Sequence, residues 1–408
     1  MDYSAAKKIS SVYLTAFKKL FHQYNILTLI CYIGEDNIDC EYNYIKFLSW
    51  NNLEQIIKAI TQLEKNHEII FINTFTETLI DFTQELKSSL WYAISDFPQV
   101  FRSKALQREL LSKSHSYLAI KSLKKSSTEL QQEKHNLKIN YPFVIKPSSW
   151  QQSSWVSIIH NLDDLEIYID AISQLEINNI KRWLKNEVYV LEEYLDGKMF
   201  SIDYFVTEDW GYRASPPVYV WIWKDIGIND FMNYVRSLDN HHLQIIDNDK
   251  LDFFINWTIY ALWLKNTFVH HEFKLTSSNE LKTIEVNWRI GWYRLEMIDE
   301  ACDVNFLEQV IDSSKSNMQV KNNFACFLFY PEYEWILKWF NHDVITDIKH
   351  LSSFYVIKLY DGFIGKMIWP TKLWYTKVAI VKIKHADISV FQRDIEFITR
   401  NYKNLLIM

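Results

Sequence analysis

The sequence predicts an α/β protein with three parts: a small N-terminal α/β domain, a central α+β region and a C-terminal antiparallel lobe. In the first hundred residues, buried β-branched runs alternate with amphipathic helical patterns, which is typical of a largely parallel sheet. In the last hundred residues, strand patterns dominate. A chain of 408 residues is also long for a single core. We therefore expect domains over residues 1–97, 98–308 and 309–408.

The N-terminal domain begins with the pattern of an amphipathic helix over residues 4–23. A buried strand over 26–34 and a helix over 53–63 follow. The run HEIIFIN predicts a second buried strand over 67–73, and a helix over 76–90 completes the unit. This domain has no glycine-rich nucleotide loop, so we expect it to be structural or to face the substrate.

The central region begins with a helix over residues 103–111 and includes a second long helix over 251–265. Apolar runs bounded by turn residues predict the intervening strands, which cover 141–147, 155–159, 187–195, 200–206 and 218–223, with a helix over 162–175. The same patterns predict the C-terminal lobe, with strands over 325–330, 354–359 and 378–383 and a closing helix over 387–401.

Composition argues against several classes of function. The net charge of −6 disfavours a nucleic-acid surface. The first residues lack a long apolar run, and no window is apolar for long enough to span a bilayer, so we expect neither a signal peptide nor a membrane segment. The four cysteines lack paired metal spacing, and a reduced cytoplasm is the simplest setting for them.

Glycine is unusually scarce in this chain. There are 7 glycines against 16 tryptophans, whereas glycine normally makes up about 7% of a chain. Few positions can therefore adopt a positive φ without strain, and few backbone segments can approach a phosphate without a side chain in the way.

A hairpin predicted over residues 269–292 carries charges in an unusual arrangement. Glu285, Asn287 and Arg289 are spaced by two, so they project from one face of a strand. The opposite face is apolar and should pack on a core; it carries Ile284, Val286 and Ile290.

The partner strand of this hairpin adds a second carboxylate. If the turn closes with Thr276 opposite Leu281, Glu272 lies directly across from Glu285. Two facing carboxylates are destabilising unless a cation lies between them, and Mg²⁺ with substrate phosphates in its shell suits such a site. The alternative is a solvated sheet face, which is the commoner fate of alternating charges.

Glu272 followed by IEVNWR resembles the magnesium hairpin of the ATP-grasp carboxylate–amine ligases, in particular the L-amino-acid ligase and carnosine-synthase-like group. The usual form in that family is a Glu, then Glu-hydrophobic-Asn-Pro-Arg, then a glycine pair. Here Trp288 stands in place of the proline, and Trp292 in place of the second glycine. The resemblance covers about residues 98–305 well and the two ends loosely.

The resemblance implies an ATP-grasp architecture, with a small Rossmann-like N-terminal domain and two subdomains that clamp ATP. It assigns Glu272, Glu285 and Asn287 to Mg²⁺ (or Mn²⁺), and it assigns to Arg289 the stabilisation of an acyl phosphate.

Two lysines are candidates for the ATP phosphates. Lys146 ends a strand ahead of the polar loop SSWQQSSW, where a lysine can place its ammonium on a phosphate. The segment resembles the family's Lys-Pro and phosphate flap, which adds Ser153 to the site, although Trp155 occupies a position that is usually small. Lys104 resembles an earlier phosphate lysine in the pattern Ser-Lys-X-X-X-Arg. The alternatives are a surface lysine at a strand end and a solvated helix face.

The segment that follows the next strand resembles the one that lines adenine in this family. It carries Glu192, Glu193, Tyr194 and Leu195. The alternative is a pair of exposed glutamates near a strand end. Met199 occupies the position of a customary ribose-binding acid, and a thioether cannot accept a strong hydrogen bond. Trp263 also stands where the family usually has a glycine.

His270 alternates onto the face of Glu272, and His271 alternates onto the opposite face. The spacing of these two histidines is not that of helical zinc sites. We expect His270 to support the site or face the substrate, and His271 to pack inward.

Together these features predict an ATP-dependent ligase that joins small-molecule carboxylate and amine substrates, of the amino-acid kind in this family, and a homodimer is one assembly it could adopt. One alternative is a non-catalytic relative, which the missing flap glycines and Met199 favour and the intact hairpin set disfavours. Another is an enzyme that phosphorylates or carboxylates with the same clamp.

Overall fold

A computed structural model describes residues 28–31, 44–47, 52–70, 72–74, 79–92, 100, 102–115, 118–148, 155–177, 188–228, 231–312, 318–370 and 376–407. Two of its antiparallel sheets contribute to one cleft. No helix in these ranges is both long enough and apolar enough to cross a bilayer.

The helices of the described ranges are α1 (Leu53–Leu63), α2 (Ile80–Ser89), α3 (Lys104–Ser114), α4 (Ser127–Glu133), α5 (Leu162–Ile177), α6 (Asn240–Leu243), α7 (Asn248–Ala261), α8 (Arg294–Cys302), α9 (Phe306–Ile311), α10 (His342–Lys349) and α11 (Ile388–Arg400).

The strands are β1 (Thr28–Cys31), β2 (Tyr44–Phe47), β3 (Ser122–Ser126), β4 (Phe143–Pro147), β5 (Ser157–Ile159), β6 (Val188–Glu193), β7 (Lys198–Val206), β8 (Tyr212–Ala214), β9 (Val218–Ile222), β10 (Asn233–Leu238), β11 (Thr267–Leu275), β12 (Leu281–Asn287), β13 (Asn323–Phe329), β14 (Trp335–Ile336), β15 (Trp339–Phe340), β16 (Phe354–Leu359), β17 (Met367–Ile368), β18 (Ala379–His385) and β19 (Leu406–Ile407).

The N-terminal region contains a parallel pair, β1 with β2. β1 lies within the strand expected over 26–34, whereas β2 was not predicted. The helix expected over 53–63 is confirmed, whereas the strand expected over 67–73 is wrong: residues 67–70 and 72–74 form no strand. Ile69 and Ile72 instead pack against the buried faces of α1 and α2, so the apolar run covers helices rather than joining a ladder. The helix expected over 4–23 lies outside the described residues.

A four-stranded antiparallel sheet with the order β3-β6-β4-β5 forms one wall of the cleft. Its apolar face packs on α4 and α5 through a core that includes Phe143, Ile145, Leu165, Ile169 and Leu191. The strand residues among them, Phe143, Ile145 and Leu191, are nearly inaccessible to water, as expected for a sheet with one face on a core.

A nine-stranded antiparallel sheet forms the other wall, in the order β12-β11-β7-β9-β10-β13-β18-β16, with β8 paired to β7. Along β7, Phe200, Ile202 and Tyr204 pack in a core shared with α7, while Met199 and Asp203 point to the opposite face. That opposite face carries the cleft.

The strands of the predicted C-terminal lobe are confirmed as antiparallel, and they continue the same sheet. β10 pairs with β13, β13 with β18, and β18 with β16. A large core under this half of the sheet includes residues of α8, α9, α10 and α11. The backbone ladder therefore joins the central region to the last hundred residues.

Candidate active site

The hairpin of β11 and β12 places Glu272 directly opposite Glu285. The pairing nevertheless begins one residue away from the expected register, because Leu275, not Thr276, lies opposite Leu281. A bulge beyond Phe273 restores the carboxylate pair.

Ile284 is the extra residue of this bulge, and it corrects one prediction. The strict alternation of a strand places Ile284 on the core side, yet it lines the cleft beside Glu285. The bulge also turns its carbonyl toward two cations. Arg108 donates from Nη2 to this oxygen, and Lys146 Nζ lies 3.5 Å from it.

The cleft between the two sheets contains about 800 Å³ of empty space, including its open mouth. It brings together most of the residues that the sequence predicts for the site: Lys104, Lys146, Glu192, Glu193, Tyr194, Leu195, Met199, Glu272 and Glu285. Asn287 follows at the end of β12, and Arg289 comes just after it. Ser153 lies outside the described residues.

Helix α3 supplies two cations to the cleft from one face. Lys104 Nζ lies 3.1 Å from Glu285 Oε1, and Arg108 Nε donates to Glu192 Oε1 at 2.7 Å. The side chain of Arg108 is only 2% exposed. The pair at i and i+4 is therefore part of the cleft and not a solvated helix face.

Glu192 bridges a cation of helix α3 and a cation of strand β4. Its second oxygen, Oε2, lies 2.9 Å from Lys146 Nζ, so the carboxylate is held between Arg108 and Lys146. Burial would raise the pKa of Glu192, but these two cations hold that pKa below its ordinary value. Burial lowers the pKa of Lys146, and the charge of Glu192 opposes part of that effect.

Residues 139–293 match the model of the ATP-grasp domain family. These residues form an ATP-grasp domain. No curated protein sequence matches it significantly.

Solved structures of low sequence identity share the fold of this chain. An L-amino acid ligase from Bacillus licheniformis is 15% identical with a TM-score of 0.64, and the match covers 91% of this chain and 89% of that one. An N5-carboxyaminoimidazole ribonucleotide synthetase from Thermotoga maritima is 17% identical with a TM-score of 0.57, covering 93% and 91%.

A third similar structure contains nucleotide. It is the biotin carboxylase domain dimer of a 2-oxoglutarate carboxylase from Hydrogenobacter thermophilus, in complex with MgADP, ADP and bicarbonate. It is 11% identical with a TM-score of 0.57, and the match covers 91% of this chain and 84% of that one.

The carboxylate of Glu272 is strongly acidic in this domain. Burial would raise its pKa, but hydrogen bonding and charge from His270, with Arg236 and Arg289, lower the pKa to about 2. His270 Nε2 lies 3.4 Å from Glu272 Oε1. Glu272 is thus ionised at neutral pH, opposite a second carboxylate.

The donor set fits a hard divalent cation. Glu272 and Glu285 face each other on the cleft, and like charges at directly opposed positions are destabilising unless a cation lies between them. Asn287 adds an amide oxygen two residues on. Among the residues described here, no group of three or more His, Cys, Asp or Glu side chains is placed to hold a metal.

Asp203 organises the region behind Glu272, and the sequence analysis missed it. Its Oδ1 accepts hydrogen bonds from Gly291 N at 2.5 Å and from His270 Nδ1 at 3.1 Å. Arg294 Nε lies 3.4 Å from its Oδ2. The available signal was a lone acid in the largely apolar strand of residues 198–206.

Gly291 is required at this position for steric reasons. A Cβ on it would lie 2.5 Å from the ring of His270 and 2.8 Å from Cγ of Arg294. His271, in contrast, is buried on the opposite face beside Tyr204 and Thr283, as expected.

The segment assigned to adenine is held by lysines that the sequence analysis did not single out. Lys274 Nζ donates to the carbonyl of Leu195 at 2.8 Å, and Lys224 Nζ donates to the hydroxyl of Tyr194 at 2.6 Å. Burial lowers the pKa of Lys274. The carboxylate of Glu193 accepts a hydrogen bond from the backbone of Lys121 at 2.9 Å.

Proposed function

We propose that this protein is an ATP-dependent ligase that joins a small carboxylic acid to an amine through an acyl phosphate. The observation that carries the proposal is the carboxylate pair of Glu272 and Glu285, which faces a cleft containing Lys104 and Lys146. Phosphoryl transfer depends mainly on positioning and charge neutralisation, and these residues provide both.

The nucleotide side of the reaction uses cations on two elements. Lys146 and Lys104 would neutralise the phosphates, and their present partners, Glu192 and Glu285, hold both ammonium groups at the cleft. The segment from Glu192 to Leu195 would line the adenine, with Met199 near the ribose. Ser153 would contribute from the flap.

The metal side of the reaction uses the hairpin. Glu272, Glu285 and Asn287 would hold Mg²⁺ or Mn²⁺, which would draw charge from the transferring phosphate when bound. Arg289, two residues past Asn287, would stabilise the acyl phosphate. An amine then displaces phosphate and forms the amide.

The solved structures of similar fold support the proposal. One is an L-amino acid ligase, and another was solved with MgADP. Small-molecule acids and amines of the amino-acid kind are therefore the first substrates to test, and a homodimer in the cytoplasm remains part of the proposal.

The test is a Glu285→Gln variant, with Glu280→Gln as the matched control on the same hairpin. Glu280 is half exposed at the turn, 3.8 Å from Lys282. We expect Glu285→Gln to abolish the Mg²⁺-dependent thermal stabilisation by ATP, because charge and coordination geometry are lost together. The control should keep that stabilisation.

Equal stabilisation of Glu285→Gln and the parent by Mg²⁺–ATP would make the hairpin a purely structural element. Stabilisation of the parent without ADP release from any acid and amine pair would instead support a non-catalytic ATP-binding protein.

A further inference from the structure

On the large sheet, the cleft face extends beyond the residues proposed to bind the nucleotide. There it carries a row of cross-strand partners that includes several cationic side chains. Lys274 pairs with Met199 across neighbouring strands, Met199 pairs with Val220, and Val220 pairs with Arg236. Lys274 and Met199 line the cleft. Directly paired residues point to the same face of a sheet, so Arg236 lies on the cleft face, about 10 Å beyond Met199 at two strand spacings.

The same row brings a second cation close to Arg236. Arg236 pairs with Cys326, and Cys326 pairs with Lys382. The thiol between them is short, buried and neutral, because burial raises the pKa of Cys326 to about 11 despite the neighbouring cations. Two long cationic side chains therefore flank a small uncharged one.

The loop after the metal hairpin closes over this row. Lys377 donates to the hydroxyl of Tyr293, and the ammonium groups of Lys377 and Lys382 lie 5.1 Å and 5.9 Å from its ring centre. Tyr293 is four residues past Arg289. The cations thus adjoin the loop that carries the proposed acyl-phosphate arginine.

Two carboxylates act on this cluster of cations. Glu296 pairs with Lys382, and Glu272 lies close enough to Arg236 for the guanidinium to lower the pKa of that carboxylate. Arg236 Nη1 is buried and forms no hydrogen bond within the part of the chain that the structure describes. Leaving a buried guanidinium N–H without a hydrogen-bond acceptor costs free energy, so an acceptor supplied by a ligand would be stabilised at this position.

We propose that Arg236, with Lys377 and Lys382, binds a second anionic group on the acid substrate. This inference rests on the proposed function and specifies its substrate class: an organic acid with one carboxylate at Arg289 and a second carboxylate or a phosphate at Arg236. The planar guanidinium suits either anion in a bidentate geometry.

Calorimetric titration tests this directly, with Mg²⁺ and a non-hydrolysable ATP analogue bound. Glutarate, its monoamide and 3-phosphonopropionate are the ligands, and the proteins are the parent, Arg236→Met and Lys382→Met. We expect the parent to bind a dianion at least about tenfold more tightly than the monoamide, a difference of roughly 1.4 kcal/mol in binding free energy. Both variants should lose that preference. The dianion that binds more tightly identifies the group as carboxylate or phosphate.

Lys384→Met is the matched control. Lys384 lies two residues along the same strand and pairs with Glu300 of α8 at 3.0 Å, as Lys382 pairs with Glu296, but it is outside the row of Arg236. The preference should survive this change. No preference in the parent, or an equal loss in the Lys384 variant, would overturn the inference.

Hydroxylamine trapping separates this inference from the proposed function. Hydroxamate formed equally from mono- and dicarboxylic acids would support the ligase and reject the anion site. A dianion preference in binding, without hydroxamate from any acid, would retain the anion site and reject the ligase.

A second, independent observation concerns tryptophans with a glycine-like backbone. Eight non-glycine residues of the described ranges have positive φ, and four of them are Trp91, Trp155, Trp210 and Trp263, at φ between 52° and 72°. This conformation is rare for bulky residues and is most often adopted by glycine.

Two of these tryptophans occupy the position after a helix C-cap that glycine normally fills. After α2, Trp91 N donates to Ser88 O and Tyr92 N to Lys87 O. After α7, Trp263 N donates to Tyr260 O and Leu264 N to Ile259 O. Both pairs form a Schellman motif, whose left-handed residue is usually glycine. Trp91 is 95% exposed, so packing does not compensate for the strain.

We infer that glycine occupies these four positions in the native protein, encoded by the UGA codon, which one genetic code reads as tryptophan and another as glycine. The chain's 7 glycines and 16 tryptophans fit this reading.

Peptide mass spectrometry of the protein from its native cells tests this. We expect glycine masses at residues 91, 155, 210 and 263. Trp223, which is buried and donates to the Tyr402 hydroxyl at 3.1 Å, should remain tryptophan. In recombinant protein, Trp91→Gly should raise the midpoint of thermal unfolding and Trp223→Gly should lower it. Tryptophan masses at the four positions would refute the inference.

Discussion

At the scale of single residues, the cleft is organised by charges that are already paired. Glu192 is held between Arg108 and Lys146, and Glu285 is paired with Lys104. These pairs keep the cations in place with little solvent contact, at the cost of desolvation. A phosphate entering the cleft would share cations that the carboxylates already position.

Lys146→Ala should weaken binding of ATP more than binding of AMP, because the ammonium would face the distal phosphates. Calorimetric titration of both nucleotides measures the difference. Lys134→Ala is the control, since Lys134 makes a similar ion pair with Glu166 on the helical side of the same sheet. An equal loss for ATP and AMP would place Lys146 outside the phosphate site.

Met199 predicts weak discrimination at the ribose. An acid at this position would accept hydrogen bonds worth about 1.5–3 kcal/mol, or at least about tenfold in affinity. We expect the parent to bind ATP and 2′-deoxy-ATP within a few-fold of each other, and Met199→Glu to favour ATP. The new carboxylate would also face Lys274, the cross-strand partner. A strong preference for ATP in the parent would mean that another residue binds the ribose.

At the scale of elements, the hairpin and its exit loop act as one unit. The bulge aligns Glu272 with Glu285 and aims the Ile284 carbonyl at Arg108. Asp203 connects His270, which contacts Glu272, to Gly291 in the loop after Arg289. The same buried acid therefore contacts both the histidine beside Glu272, the proposed metal ligand, and the loop that follows Arg289, the arginine proposed for the acyl phosphate.

Gly291→Ala should disturb both ends of this unit, because the added methyl would overlap His270 and Arg294. We expect a stability loss of about 1–3 kcal/mol, as in overpacked cores, and a higher Mg²⁺ concentration for half-maximal stabilisation by ATP. Chemical denaturation and a Mg²⁺ titration measure the two effects. Gly362→Ala is the control, since its Cβ would meet open space. An unchanged Mg²⁺ requirement would show that the loop does not position Glu272.

At the scale of the whole molecule, a buried lysine connects the N-terminal region to the sheet. Lys87 of α2 is fully buried, donates to the carbonyl of Asn266 at 2.8 Å, and lies 5.2 Å from the ring centre of Trp288. Trp288 follows Asn287 directly. This contact anchors α2 beside the end of the β11–β12 hairpin.

Lys87 should make stability depend on pH. Burial lowers its pKa from 10.5 to about 7, so between these pH values the unfolded chain binds a proton that the folded chain does not. Stability therefore rises with pH across this window, by at most about 1.4 kcal/mol per pH unit. Lys87→Met should reduce that slope. Denaturation of the parent and variant from pH 6 to pH 9 measures it, and identical slopes would contradict the prediction.

The sequence by itself determined the period and order of most elements, because strand and helix periodicities are local. The helix over 53–63 and the strand over 354–359 could be predicted from spacing. Glu272 does pair with Glu285 as predicted, but the register expected from the turn is one residue off, and the bulge at Ile284 is what restores the pair. The strand expected over 67–73 could not be excluded in this way, since an apolar run that covers helices has the same composition as a buried strand.

Only the tertiary structure decided what each charge faces. Arg108 and Lys104 have the spacing of a solvated helix face, and packing of α3 against the hairpin buries them instead. Asp203, Arg236 and Lys382 come together through cross-strand register, which joins residues far apart in the chain. Local pattern determines which face of a strand carries a charge, whereas long-range pairing determines which charges meet.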